Sequence, residues 1–95
     1  MKNLDNLFNN IRYSQELFIF ELVNRIEPKI ANKISVKEIC NNLKIKREEG
    51  ISALKSLSIA EIITFESIPR KHTSVTIIDE LMFYQIKERG NRYGK

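Results

Sequence analysis

The chain has 95 residues, a formal net charge of +4 and a pI near 9.3, with 42% hydrophobic and 29% charged residues. That is one domain's worth of ordinary globular composition, which excludes wholesale disorder, but the core is thin enough for help from a second subunit. Apolar runs such as residues 17–20 are far too short to span a bilayer, the first residues show no secretory pattern, and the lone Cys40 allows no internal disulfide, so a reducing, cytoplasmic setting is expected.

Leu4, Leu7, Phe8 and Ile11 fall at i, i+3, i+4 and i+7, which predicts a short amphipathic helix over 4–11. Ser14 is suited to cap a second helix, with Gln15 and Glu16 in its first turn where acceptors are favoured. That helix carries Leu17, Phe18, Ile19, Phe20, Leu22, Val23 and Ile26. Apolar on more than one side, it is expected to be central or to pack against a partner. Pro28 ends it. Residues 29–34 form a connector with a short strand at Lys33 and Ile34.

Ser35, Val36, Lys37 and Glu38 spell the capping box S-x-x-E before an apolar-periodic run. The helix that follows turns Val36, Ile39, Cys40 and Leu43 inward, and Cys40 is expected to be a small buried apolar residue. Ile45 plugs the next turn. A further helix is predicted over about 47–58, with Ile51, Leu54 and Leu57 inward and Glu48, Glu49, Ser52, Lys55 and Ser56 partly or wholly outward.

Residues 62–68 are rich in β-branched and aromatic side chains, Pro69, Arg70, Lys71 and His72 make a turn, and 73–78 alternate as a partner strand. Asp79 is placed to cap a last helix over about 80–89, with Gly90 as its stop. Residues 91–95 show no packing pattern and are expected to be loose.

The order is two helices, a connector with a short strand, a helix, a short turn, a helix, a hairpin and a last helix. It predicts an α+β winged helix-turn-helix domain spanning the chain, with the helix-turn-helix over about 36–58 and the wing over about 62–78. In such a fold the first helix of the pair fixes the angle of the second, whose N-terminal half enters a major groove. The charge distribution agrees. Residues 31–60 carry Lys33, Lys37, Lys44, Lys46, Arg47 and Lys55 against Glu38, Glu48 and Glu49, while residues 1–30 are balanced.

Double-stranded DNA is the expected partner. Lys46 and Arg47 at the helix start can reach a phosphate or a guanine edge. Glu48, Glu49, Ser52, Lys55 and Ser56 complete the candidate reading surface. Arg70, Lys71 and His72 at the wing tip are suited to the phosphate backbone. Any one of these cations alone is ordinary solvated surface, and the argument is the set. A glutamate here can accept from cytosine N4 or simply suit a helix N-terminus. Gly50 inside the helix costs roughly 1 kcal/mol relative to alanine, which points to close approach of the preceding helix or of a DNA backbone.

The segment 35–76 resembles the C-terminal winged-helix domain of the CodY family of transcriptional repressors. The matching positions are Ile39, Leu43, Ile45, Arg47, Ala53, Leu54, Lys55, Leu57, Ala60, Ile63, Ser67, Lys71 and Thr73. Upstream, Tyr13, Ser14, Gln15, Glu16 and Leu17 resemble the segment that opens that family's DNA-binding domain. The resemblance implies a dimeric DNA binder with an AT-rich operator, and Lys46, Arg47, Ser52 and Lys71 as DNA-contacting residues. Lys44 and Glu61 stand where the family usually has glycine, and Glu49 and Gly50 where it has apolar residues. Nothing here corresponds to the family's ligand-sensing domain, so no small-molecule effector is expected within this chain.

No cofactor, metal or catalytic activity is expected. No Gly-rich phosphate loop, nucleophile–base motif or metal-ligand cluster is found, and one histidine with one cysteine cannot make a zinc site alone. A homodimer is expected, because the helices around 17–26 and 81–86 carry more apolar residues than a thin core needs. Two alternatives stay open: a winged helix serving as a protein-interaction module (an adaptor or antirepressor), and a replication or plasmid accessory protein.

Overall fold

The computed structural model describes residues 4–68, 70 and 72–93. Its elements in chain order are α1 (Leu4–Asn9), α2 (Tyr13–Val23), β1 (Ala31–Ile34), α3 (Val36–Leu43), α4 (Arg47–Ile59), β2 (Ile63–Ser67), β3 (Thr73–Ile77) and α5 (Glu80–Tyr93). Among the described residues the fold is therefore α+β, with five helices and one three-stranded antiparallel sheet ordered β1-β3-β2. This architecture is compatible with a winged-helix-like arrangement.

The sheet is held by its middle strand. Thr73, Val75 and Ile77 of β3 alternate inward, as a period of two requires. Val75 pairs with Asn32 on one side and Phe65 on the other. The β2–β3 hairpin closes where the Ile68 N–H donates to the His72 carbonyl at 2.9 Å. β1 is longer than the two residues expected, and a buried polar side chain anchors it. The Asn32 amide donates to the carbonyls of Glu27, Ile30 and Val75 at 2.9–3.2 Å and accepts the Glu27 N–H at 2.9 Å.

α2 runs through the middle of the helical layer, with Phe18, Ile19 and Leu22 fully buried. Its surplus of apolar residues is covered within the chain. α4 and α3 pack on one side, and Phe8 of α1 stacks on Phe20 with ring centroids 5.4 Å apart on another. α5 contributes Met82, Phe83 and Ile86 to the same core and leaves Leu81 and Tyr84 exposed. Arg89 of α5 ties α1 down by pairing with Asp5 at 3.0 Å and lying 4.5 Å over the Phe8 ring.

Side-chain caps set the starts of α3 and α5. The Ser35 hydroxyl accepts the Glu38 N–H at 3.1 Å, and Asp79 Oδ1 accepts the Met82 N–H at 3.0 Å, each satisfying an N–H with no partner inside its helix. The Glu38 carboxylate reaches Arg25 at 2.9 Å rather than completing the reciprocal half of a capping box. α2 begins two residues earlier than a Ser14 cap would dictate. Arg12 takes the cap position, and its N–H donates to Gln15 Oε1 at 3.3 Å, so Ser14 lies within the first turn.

The helix ends follow backbone geometry. α3 and α4 close with the same bonds: Ile45 N–H to the Cys40 carbonyl and Ile62 N–H to the Leu57 carbonyl, both 3.0 Å. Each closure needs a left-handed residue, and these are Lys44 (φ 59°) and Glu61 (φ 61°). They are the two positions where the resemblance leads one to expect glycine. An L side chain there is strained by roughly 1 kcal/mol. Lys44→Gly is therefore expected to stabilise the fold by about 0.5–1 kcal/mol in urea titration. A loss of stability would show that the Lys44 side chain makes a contribution greater than the strain.

Gly90 does not stop the last helix. α5 continues through it to Tyr93, with an Arg92–Glu88 pair at 2.8 Å one turn apart, so residues 91–93 are helical rather than loose. Residues 94–95 lie outside the described part. The glycine serves packing instead: a Cβ at position 90 would sit 2.9 Å from Cδ1 of Phe20. Among the described residues no helix is long and apolar enough to cross a membrane.

Candidate functional site

The candidate surface is built on α4, and its rotation is decided by small residues. Gly50, Ala53, Leu54 and Leu57 are buried against α2 and α3. Ile51, expected inward, is only half-buried. A Cβ on Gly50 would stand 2.7 Å from Cys40 Sγ, 2.8 Å from Phe18 and 3.0 Å from Val36. Gly50 thus lets α3 and α2 approach α4, and it is turned away from any DNA backbone. Burial pushes the Cys40 thiol up from its ordinary pKa, against smaller opposing effects of the Gly50 backbone and Arg47. Cys40 is therefore a neutral packing residue.

With the core face fixed, the opposite stripe of α4 follows from its period of 3.6 residues. Glu48 and Lys55 are exposed and Ser52 half-buried. Together with Arg47 and Ile51 they line a shallow depression on the outer side of the helix. A second groove lies between the N-terminus of α3, the start of α4 and the hairpin, and Lys37, Arg47, Arg70 and His72 line it. Arg47 belongs to both, so the two form one continuous surface.

Three expected site residues lie elsewhere or cannot be placed. Glu49 turns toward α2, where its carboxylate accepts from Gln15 Nε2 at 2.8 Å and Arg12 Nη1 at 3.2 Å, leaving its side chain only 17% exposed. Its position one residue beyond Glu48 rotates it about 100° around the helix. Ser56 lines a separate apolar groove with Leu7, Ile11, Ile59 and Met82, on the flank toward α1. Lys71 lies outside the described residues. Lys46 is exposed in the cap position of α4 without bonding the helix end. It lies beside Arg47 and lines neither depression. Lys37 is a groove residue that the helix-turn-helix reading passed over, although its place two residues after the Ser35 cap could have flagged it.

Ion pairing divides the cations, although Lys29, Lys33, Lys44 and Lys87, outside both depressions, are also in no ion pair among the described residues. Arg12, Arg25, Arg89 and Arg92 each stand within 2.8–3.2 Å of a carboxylate. Among the described residues, Lys37, Lys46, Arg47, Lys55 and Arg70 take part in no ion pair, and neither does Glu48. The surface carries Lys37, Arg47, Lys55 and Arg70, with one carboxylate, Glu48, and the Ser52 hydroxyl on its outer stripe. Such a surface suits polyanion binding. Among the described residues, no group of three or more His, Cys, Asp or Glu side chains could hold a metal ion. A comparison with protein-family models and one with curated proteins each match nothing to this chain.

Proposed function

We propose that this chain is a winged helix-turn-helix protein that binds double-stranded DNA sequence-specifically and regulates transcription as a repressor, in the manner of the CodY-like domain it resembles. The observation that carries this reading is the convergence of Lys37, Arg47, Lys55, Arg70 and His72 from α3, α4 and the hairpin onto one surface, with none of the four Lys and Arg side chains neutralised by a carboxylate among the described residues. α4 is the rod that enters the major groove, wide enough at about 12 Å for one helix. Lys37, Arg47 and the hairpin tip meet phosphates beside it. A homodimer reading paired half-sites follows from the same proposal, with exposed Leu81 and Tyr84 on α5 available for the contact.

The test is a salt titration of duplex binding, on a sequence selected from a random pool. The observed association constant should fall steeply with salt, by about 0.9 in log–log slope per phosphate neutralised. Arg47→Ala should weaken binding by about 1 kcal/mol and reduce the slope by about one. Absence of duplex binding at low salt would sink the proposal. The second reading, a protein-interaction module, is favoured by one observation: Ile59 is 83% exposed at the rim of the apolar groove lined by Leu7, Ile11 and Met82. It gains if no duplex is bound.

A further inference from the structure

We propose that Glu48 is a specificity residue that accepts a hydrogen bond from the N4 amine of a cytosine, fixing one C·G pair in each half-site. This rests on the DNA-binding reading above and deepens it. Two adjacent glutamates lie in the first turn of α4. The fold separates them. Glu49 is paired with Arg12 at the cap of α2, accepts a hydrogen bond from Gln15, and is largely covered. Glu48 is exposed on the outer stripe with Ser52 and Lys55, in the same depression as Arg47, and has no ion-pair partner among the described residues.

A lone carboxylate on an otherwise cationic surface opposes binding to phosphate. It becomes favourable only where the polyanion presents a donor. In the major groove the donors are cytosine N4 and adenine N6. Beside adenine N6 lies the N7 acceptor, which repels a carboxylate, whereas cytosine presents no acceptor on its own major-groove edge. The carboxylate therefore selects cytosine. Its place in the first turn of α4 is where a recognition helix meets base edges. Arg47 and Lys55 on either side offset its repulsion from the backbone.

The experiment is selection from a random duplex pool with the whole chain and with Glu48→Ala and Glu48→Gln, followed by titration of matched duplexes that differ at one base pair. Wild type should prefer C·G at one position per half-site by about tenfold or more. Glu48→Ala should flatten that preference to less than about twofold while keeping or raising affinity for unselected duplex. Glu48→Gln should move the preference toward A·T, because an amide can donate to adenine N7 and accept from N6. Thermal melts of all three should agree to within about 5 °C, since the Glu48 side chain is exposed, makes no ion pair among the described residues and contributes only its favourable place at the helix N-terminus. An unchanged preference in Glu48→Ala, or a wild type with no C·G requirement, overturns the assignment while leaving DNA binding intact. A wild type that binds no duplex overturns both.

Discussion

Asn32→Leu is expected to lose about 3 kcal/mol of folding stability, although the two side chains differ little in size. Asn32 is 8% exposed, and its amide makes all four of its hydrogen bonds to backbone groups. Leucine would strand the Glu27 N–H and withdraw the donor from three carbonyls. Each buried group left unpaired costs about 1–3 kcal/mol, so the loss exceeds the modest gain from burying more apolar surface. The melting temperature should fall by roughly 10–25 °C for a chain of this size. Asn32→Asp should fare no better at pH 7, because it keeps the acceptor but removes the donors and buries a charge. A loss below about 1 kcal/mol for leucine would mean that water replaces the amide at these carbonyls. The effect reaches the candidate site, because β1 leads directly into the Ser35 cap and the Lys37 side of the groove.

Gly50→Ala should destabilise the protein by about 2 kcal/mol or more, against the helix-propensity gain of about 1 kcal/mol that alanine brings. The added methyl would overlap Cys40 Sγ, Phe18 and Val36 at 2.7–3.0 Å, and all three are buried, so no side chain can swing aside into solvent. Relief requires α3 and α4 to move apart, which would shift α4 relative to the hairpin and disturb the proposed surface as well as the core. Gly90→Ala is the matched control. Its methyl meets only the half-buried Phe20 ring, so strain and propensity should nearly cancel, to within about 0.5 kcal/mol. Denaturant titration of the two variants separates packing from propensity. Equal stability of Gly50→Ala and wild type would show that the interhelical contact has more slack than its geometry implies.

The Arg12–Gln15–Glu49 contact bears on the same surface from the other side. Gln15 binds the Arg12 N–H through its oxygen and Glu49 through its nitrogen, joining the first turn of α2 to the first turn of α4. The contact spans 34 residues of sequence and holds the end of α4 that carries Arg47 and Glu48. Its Arg12 arm is largely exposed, so that half contributes little by itself. The Gln15–Glu49 bond is partly shielded and fixes the direction of the Glu49 side chain.

The order of helices and strands, the Ser35 and Asp79 caps and the β2–β3 hairpin were legible in the sequence, because each depends on residues within about one turn or a few positions of one another. The two main faces of α4 were also legible, with Leu54 and Leu57 inward and Glu48 and Lys55 outward, but its flanks were not. Gly50 and Ala53 carry almost no hydrophobic signal, yet their small size is what lets neighbouring helices close on them, and this leaves Ile51 only half-buried and Glu49 directed toward α2. A glycine near a helix end marks a stop by local rules, whereas Gly90 lies inside α5 and faces the Phe20 ring of α2. Asn32 gave no sign of its four bonds, since its partners lie in a loop and on a strand 43 residues away. Local chemistry thus determined which segments are helix and strand. Only close packing between distant segments decided how the flanks of α4, at Glu49 and Ile51, are placed, because contact distances depend on what stands opposite and not on the neighbours in sequence.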